Sequence, residues 1–277
     1  MDISPAQCTP GIDWITCRAD GNPGAQDAYA LARQLQEVAT LSGDRLRDWG
    51  THGYTGKSTK HCRWGVKGEA VLVELSGHLA EDHWRQLYPH ADAVNRLDTK
   101  VDLRFPTPVP GLAQAAYAAP PIPLGRNLPA IAKSLYTGSA GGETCYVGSM
   151  GGRRLGRLYD KSAESPRDTP PGVWRYELQE RRPYSDVASS TLYGSGDVRS
   201  AIAAYVHGFF ARHGVYPRFT AVSLDLPGVP RRSASDLSAW KHWAIEQVLP
   251  GVRRWLDRED AATVERLFRE LGDGTIQ

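Results

Sequence analysis

Residues 94–105 alternate between apolar and charged positions. Leu97, Thr99, Val101, Leu103 and Phe105 fall on one side, and Arg96, Asp98, Lys100, Asp102 and Arg104 on the other. A two-residue period belongs to a strand with one face on a core. Similar apolar runs predict strands at 12–18, at 70–76 before Gly77, and at 173–179. Residues 144–148 and 154–161 read as a hairpin turning at Ser149-Met150-Gly151-Gly152, and the Gly- and Lys-rich stretch 50–70 as another.

Helical spacing takes over elsewhere. Ala30, Leu31, Leu35 and Val38 predict a helix over 24–42, and a shorter one is expected from Glu81 to Tyr88, ended by Pro89. Residues 106–128 are proline-rich and read as loop. From residue 196 onward helices dominate, at 201–210, 236–248 and 261–271. The expected plan is an α+β fold, an antiparallel β-sheet with helices on one face. It divides into a domain at 1–195 and a helical C-terminal region at 196–277 packed on it.

Composition narrows the class only slightly. The chain has 277 residues, enough to bury a sizeable core, with 41% hydrophobic and 23% charged residues. No apolar run approaches the ~18 residues of a membrane span. The start Met1-Asp2-Ile3-Ser4-Pro5 lacks the basic and apolar parts of a signal peptide. The expectation is an intracellular, cytoplasmic protein without a membrane partner. Cys8, Cys17, Cys62 and Cys145 show no CxxC spacing, so free thiols rather than zinc ligands are expected. A net charge of +2 neither demands nor excludes nucleic acid, because 33 Lys and Arg can still form one stripe.

Three strands carry candidate chemistry. Period-two geometry puts Arg157, Tyr159 and Lys161 on one face of their strand, and Arg175, Glu177 and Gln179 on one face of theirs. If these strands neighbour the one holding Asp98 and Asp102, a single sheet surface presents a phenol, carboxylates and several cations. Carboxylates hold Mg²⁺ or Mn²⁺, and a metal polarises a phosphodiester. A phenol with a free pKa of ~10 needs activation, and the cations Arg157 and Lys161 two positions away would favour its phenolate. Each strand also has an ordinary reading. Alternating charges on a solvated face form ion pairs worth ~0–1 kcal/mol, and tyrosine is common in strands.

Other features are weaker. His78, His83 and His90 read as surface residues. Gly53-Tyr54-Thr55-Gly56-Lys57-Ser58 lacks phosphate-loop spacing. Trp14, Trp49, Tyr54 and Trp64 could stack on unpaired bases, with core packing the expected fate of most.

The ordered stretches resemble the Rep_trans family, the replication initiation factors of rolling-circle plasmids and filamentous phages, together with relaxases of some integrative elements. The stretches are Ile12–Thr16, Val73–Gly77, Asn95–Asp102, Thr144–Ser149, Gly156–Lys161 and Trp174–Gln179, with Trp240, Trp243 and Val248-Leu249-Pro250 in the tail. The resemblance implies a fold like that of the HUH nickases. It also implies covalent attack on DNA by Tyr159, leaving a 3′-hydroxyl and a 5′-phosphotyrosine. Asp98, Asp102 and Glu177 take the positions of divalent-metal ligands, and Lys161 and Arg175 those of phosphate-side cations. Thr99-Lys100 departs from the family, which more often has small or apolar residues there. The implied partners are single-stranded or hairpin origin DNA, then host helicase and polymerase, with a homodimer as an assembly such initiators often adopt. A relaxase with the same chemistry, a non-catalytic origin-binding homologue, a two-carboxylate hydrolase and a purely structural protein remain as competing readings.

Overall fold

A computed structural model of the chain describes residues 7–21, 23–107, 109–120, 133–138, 142–215 and 217. The helices expected at 236–248 and 261–271, and the tail phrase around Trp240, lie outside the described residues. Ten strands form one sheet. They are β1 (Gln7–Asp20), β2 (Arg47–Thr51), β3 (Tyr54–Ser58), β4 (Cys62–Lys67), β5 (Ala70–Ser76), β6 (Ala93–Arg104), β7 (Lys133–Thr137), β8 (Glu143–Val147), β9 (Arg154–Asp160) and β10 (Val173–Arg181). Their spatial order is β2-β3-β4-β5-β1-β6-β10-β9-β8-β7, and each described pairing is antiparallel. The α+β architecture with an antiparallel sheet is therefore the observed one.

Six α-helices are described: α1 (Gly24–Leu41), α2 (Gly77–Leu87), α3 (Leu112–Ala118), α4 (Lys161–Glu164), α5 (Tyr184–Tyr193) and α6 (Val198–Arg212). The odd positions of β6 face a core shared with Ile15, Cys17, Leu158, Tyr176 and Leu178. α1 closes this side through the Trp64 indole, which donates to Gln36 Oε1 at 3.1 Å and meets Tyr29 edge-on. α5 is fastened by Ser185 Oγ, which donates to the Val94 carbonyl. α6 lays Phe210 edge-on against Tyr176, with ring centres 5.1 Å apart. It packs on the same sheet as the preceding elements.

Several elements differ from those the sequence predicts. The 50–70 stretch supplies three strands rather than one hairpin. α2 starts at Gly77, whose φ of +56° suits glycine, and not at Glu81. The proline-rich stretch contains α3, because Leu112-Ala113-Gln114-Ala115-Ala116-Tyr117-Ala118 is a run of strong helix formers between the prolines. α5 and β7 were not foreseen.

Gly156 determines how closely α6 can approach. A Cβ there would lie 2.6 Å from Phe209 Cε1 and 3.0 Å from Phe210 Cζ. Both rings are buried, so neither can swing aside. Gly156→Ala is expected to destabilise the protein by roughly 1–3 kcal/mol, the usual range for overpacking, as read from urea-unfolding midpoints.

Candidate functional site

The even positions of β6 point away from that core. Register places Asp102 opposite Arg175, Lys100 opposite Glu177 and Asp98 opposite Gln179. One strand further, Arg175 faces Tyr159 and Glu177 faces Arg157. The neighbouring strands supposed from the sequence are thus the observed ones, and their charged faces align because antiparallel pairing without a bulge keeps like parity on one side.

Two clusters occupy this face. In the first, Glu177 is fully enclosed. Tyr159 Oη donates to Glu177 Oε2 at 2.9 Å, and Arg157 Nη2 pairs with Glu177 Oε1. Asp98, almost fully buried, takes both oxygens to Arg96, with Nε to Oδ1 at 2.9 Å. In the second cluster, Arg175 clamps Asp102 through Nε at 2.6 Å and Nη2 at 2.9 Å. Its Nη1 donates to Asp13 Oδ1 at 2.8 Å. The Lys100 ammonium lies 3.0 Å from Glu81, 3.8 Å from Asp102 and 3.9 Å from Asp13.

Asp13 and Glu81 were not singled out by the sequence reading. Asp13 reaches the face because β1 and β6 slip register between Ile12 and Trp14. Such a bulge re-aims one side chain. The available signal was an acid inside the apolar run Ile12-Asp13-Trp14-Ile15. Glu81 arrives from α2, which packs beside β1 at Gly11. A Cβ on Gly11 would sit 3.0 Å from both the Glu81 carboxyl carbon and Lys100 Cε.

Lys161 is placed differently from expectation. The strand ends at Asp160, whose carboxylate caps α4 by accepting from the Ala163 amide. Lys161 therefore opens a helix instead of extending the strand face. It pairs with Glu164, and its ammonium stays 5.8 Å from the centre of the Tyr159 ring. It lines a cleft with Asp102, Arg104 and Arg175. Tyr159 and Arg157 line a separate cleft with Thr144, Tyr146, Asp160 and Glu164.

The electrostatics of Tyr159 also correct the sequence reading. Its phenol is held well above the usual range, first by burial and next by the Glu177 carboxylate. Arg175 and Arg157 pull it down, but they are outweighed. The flanking cations do not generate a standing phenolate.

Asp98, Asp102 and Glu177 share a face but do not converge. Their oxygens are engaged by Arg96, Arg175, Arg157 and Tyr159. Among the described residues, no three His, Cys, Asp or Glu side chains gather as metal ligands would. In this arrangement the three residues do not fit a divalent ion, because each carboxylate already has its countercharge. The four cysteines are free thiols, and three of them are buried.

Asp98 carries a pH consequence. Burial pushes its carboxyl from an ordinary 3.8 up to about 7, with Arg96 opposing and Glu177 adding to the rise. Between those values the folded chain holds a proton that the unfolded chain has released. This contribution makes the protein less stable as pH rises from about 4 to about 7. Asp98→Asn should flatten that part of the stability profile, measured by denaturant unfolding at stepped pH. An unchanged slope would show that Asp98 is ionised throughout.

No protein-family model matches the chain, and no curated protein matches its sequence. Among solved structures it is similar to that of the rolling circle replication initiator protein from Geobacillus stearothermophilus. The identity is 16%, over 75% of this chain and 86% of that one, with a TM-score of 0.47. At that score the likeness bears on no residue's role, and the α+β architecture rests on the topology described above.

Proposed function

We propose that this chain nicks and rejoins single-stranded DNA as a rolling-circle replication initiator, with Tyr159 as the nucleophile. The observation that carries the reading is the 2.9 Å hydrogen bond from Tyr159 Oη to Glu177 Oε2 on a face rich in arginine. A phenol bonded to an enclosed carboxylate is a nucleophile joined to its base. The ordered resemblance to Rep_trans initiators, from Ile12 to Gln179, supplies the substrate class.

The chemistry follows from the raised phenol. At neutral pH the hydroxyl keeps its proton, so deprotonation accompanies attack. Tyr159 Oη forms the bond to phosphorus, the bond from phosphorus to the 3′-oxygen breaks, and the phenolic proton passes to Glu177 Oε2. The departing 3′-oxygen takes a proton from water. Arg157, lining the same cleft, offers its guanidinium to the phosphate and keeps Glu177 countered. Arg175, held by Asp102 and Asp13, contributes positive potential at the phenol. The phosphotyrosine preserves the bond energy, so reversal rejoins the strand without ATP, and the free 3′-end can prime synthesis. The reading places the protein in the bacterial cytoplasm. Among the described residues no helix is long and apolar enough to cross a membrane.

A second reading has its own support. The enclosed phenol and the fully engaged carboxylates also suit an origin-binding homologue that does not cut. One assay decides: labelled single-stranded candidate origins are incubated with the protein and resolved on a denaturing gel. Nicking predicts a covalent adduct that is lost in Tyr159→Phe. Glu177→Gln should slow adduct formation ~10²-fold or more, the ordinary share of a general base, with DNA affinity retained. Binding without any adduct would favour the non-cutting homologue.

Metal dependence is tested separately. The free protein is expected to show no saturable Mn²⁺ binding by titration calorimetry. Saturable binding that disappears in Asp98→Asn would mean that Arg96 yields its place to an ion.

A further inference from the structure

The meander β2–β4 extends the sheet beyond β5, and its two faces differ. Trp64 and Cys62 point to the core beneath α1, where Cys62 Sγ reaches the Ala32 carbonyl. Register puts Trp49 over the Gly56–Gly65 pair on the opposite side, with Arg63, Lys67 and Tyr54 beside it. A Cβ on Gly65 would stand 2.9 Å from the Trp49 ring, so the bare backbone there makes room for the indole. Trp49 and Tyr54 remain half-exposed, and Arg47 and Lys67 exposed. The aromatics expected to pack in the core thus divide: Trp64 does so, while Trp14, Trp49 and Tyr54 line the other face.

This face is continuous with the Tyr159 site. Trp14 lies opposite Asp98 in the β1–β6 register. Its ring has the Arg96 guanidinium 4.5 Å from its centre on the catalytic side and that of Arg63 at 5.7 Å towards the meander. The Lys67 ammonium stands 5.9 Å from the Tyr54 ring centre. Seven strand steps of about 4.8 Å separate β9 from β2, roughly 34 Å of sheet. Along it, aromatic rings alternate with cations. Arg96 and Arg63 are countered by Asp98 and Glu74, while Arg47 has no ion-pair partner among the described residues.

We infer that this face, from Trp14 to Trp49, is a track for the single-stranded DNA that flanks the nick. Unpaired bases stack on flat rings without regard to sequence, and interleaved Arg and Lys neutralise the phosphates between them. Duplex DNA hides its base faces and would gain nothing from the indoles. The inference rests on the nicking reading for the identity of the strand. Its test does not depend on cutting.

Affinity for homopolymeric dT is measured by fluorescence anisotropy at stepped salt. One probe is long enough to cross the face, and the other has only a few nucleotides. The wild type is expected to bind the long probe more tightly and with a steeper salt dependence. Trp49→Ala should weaken the long probe about 10-fold while Trp49→Phe largely restores it, and Arg47→Ala with Lys67→Ala should flatten the salt slope by about two charges. Adduct formation on short candidate origins should not change in these variants, and thermal midpoints check that they fold. Wild-type affinity for the long probe in all variants would overturn the inference, as would loss of duplex affinity alone. Failure of the nicking reading would appear instead as no adduct with any origin while the dT affinities still respond.

Discussion

The enclosed carboxylate of Glu177 sets the terms for the charged face. An ion moved out of water costs several kcal/mol even after relaxation, and only close countercharges and hydrogen bonds offset that. Arg157 takes one oxygen and Tyr159 the other. Both come from β9, so the β9–β10 register becomes part of the electrostatics: a slip by one residue would send Arg157 and Tyr159 to the core side and leave Glu177 alone. The same logic recurs at Asp102 with Arg175, whereas at Asp98 burial outweighs the Arg96 countercharge.

These pairings also shape the chemistry available to Tyr159. Burial and the Glu177 carboxylate raise the phenol more than two arginines lower it, so in the proposed reaction attack would need a base within reach and not a standing negative charge. Arg175 is held on three of its nitrogen positions by Asp102 and Asp13, which makes it a fixed source of potential and less an adaptable phosphate ligand. Lys100 has a comparable place, its ammonium set among Asp13, Glu81 and Asp102. Lys100 thus acts as the internal countercharge of three carboxylates.

The two sides of the sheet divide the work. Helices close one side around Trp64, Tyr176 and Phe210, and glycine at position 156 allows the closest approach. On the other side, among the described residues, buried charged groups near Tyr159 give way to half-exposed rings across several strands. A site built on the middle strands of a wide sheet has neighbours locked on both edges, which suits chemistry that depends on sub-ångström placement.

Strand alternation was legible from the sequence alone. Period two in 94–105 separated the core face of β6 from its charged face, and the same rule placed Arg175 and Glu177 on one side and Arg157 and Tyr159 on one side. Local rules reach that far because side-chain direction in a strand is set by the backbone itself. They stop where an element changes: Lys161 was counted with the strand, yet Asp160 caps a helix there and turns the lysine away. They also miss irregularities, and the bulge that delivers Asp13 leaves only one acid in an apolar run as its trace. Only the tertiary structure decided which charges meet. It joined Tyr159 to Glu177, split three candidate metal ligands between two arginine-filled clusters, and sorted Trp64 into the core and Trp49 onto the open face. Those outcomes depend on strand order, register and burial, which are properties of residues far apart in the chain.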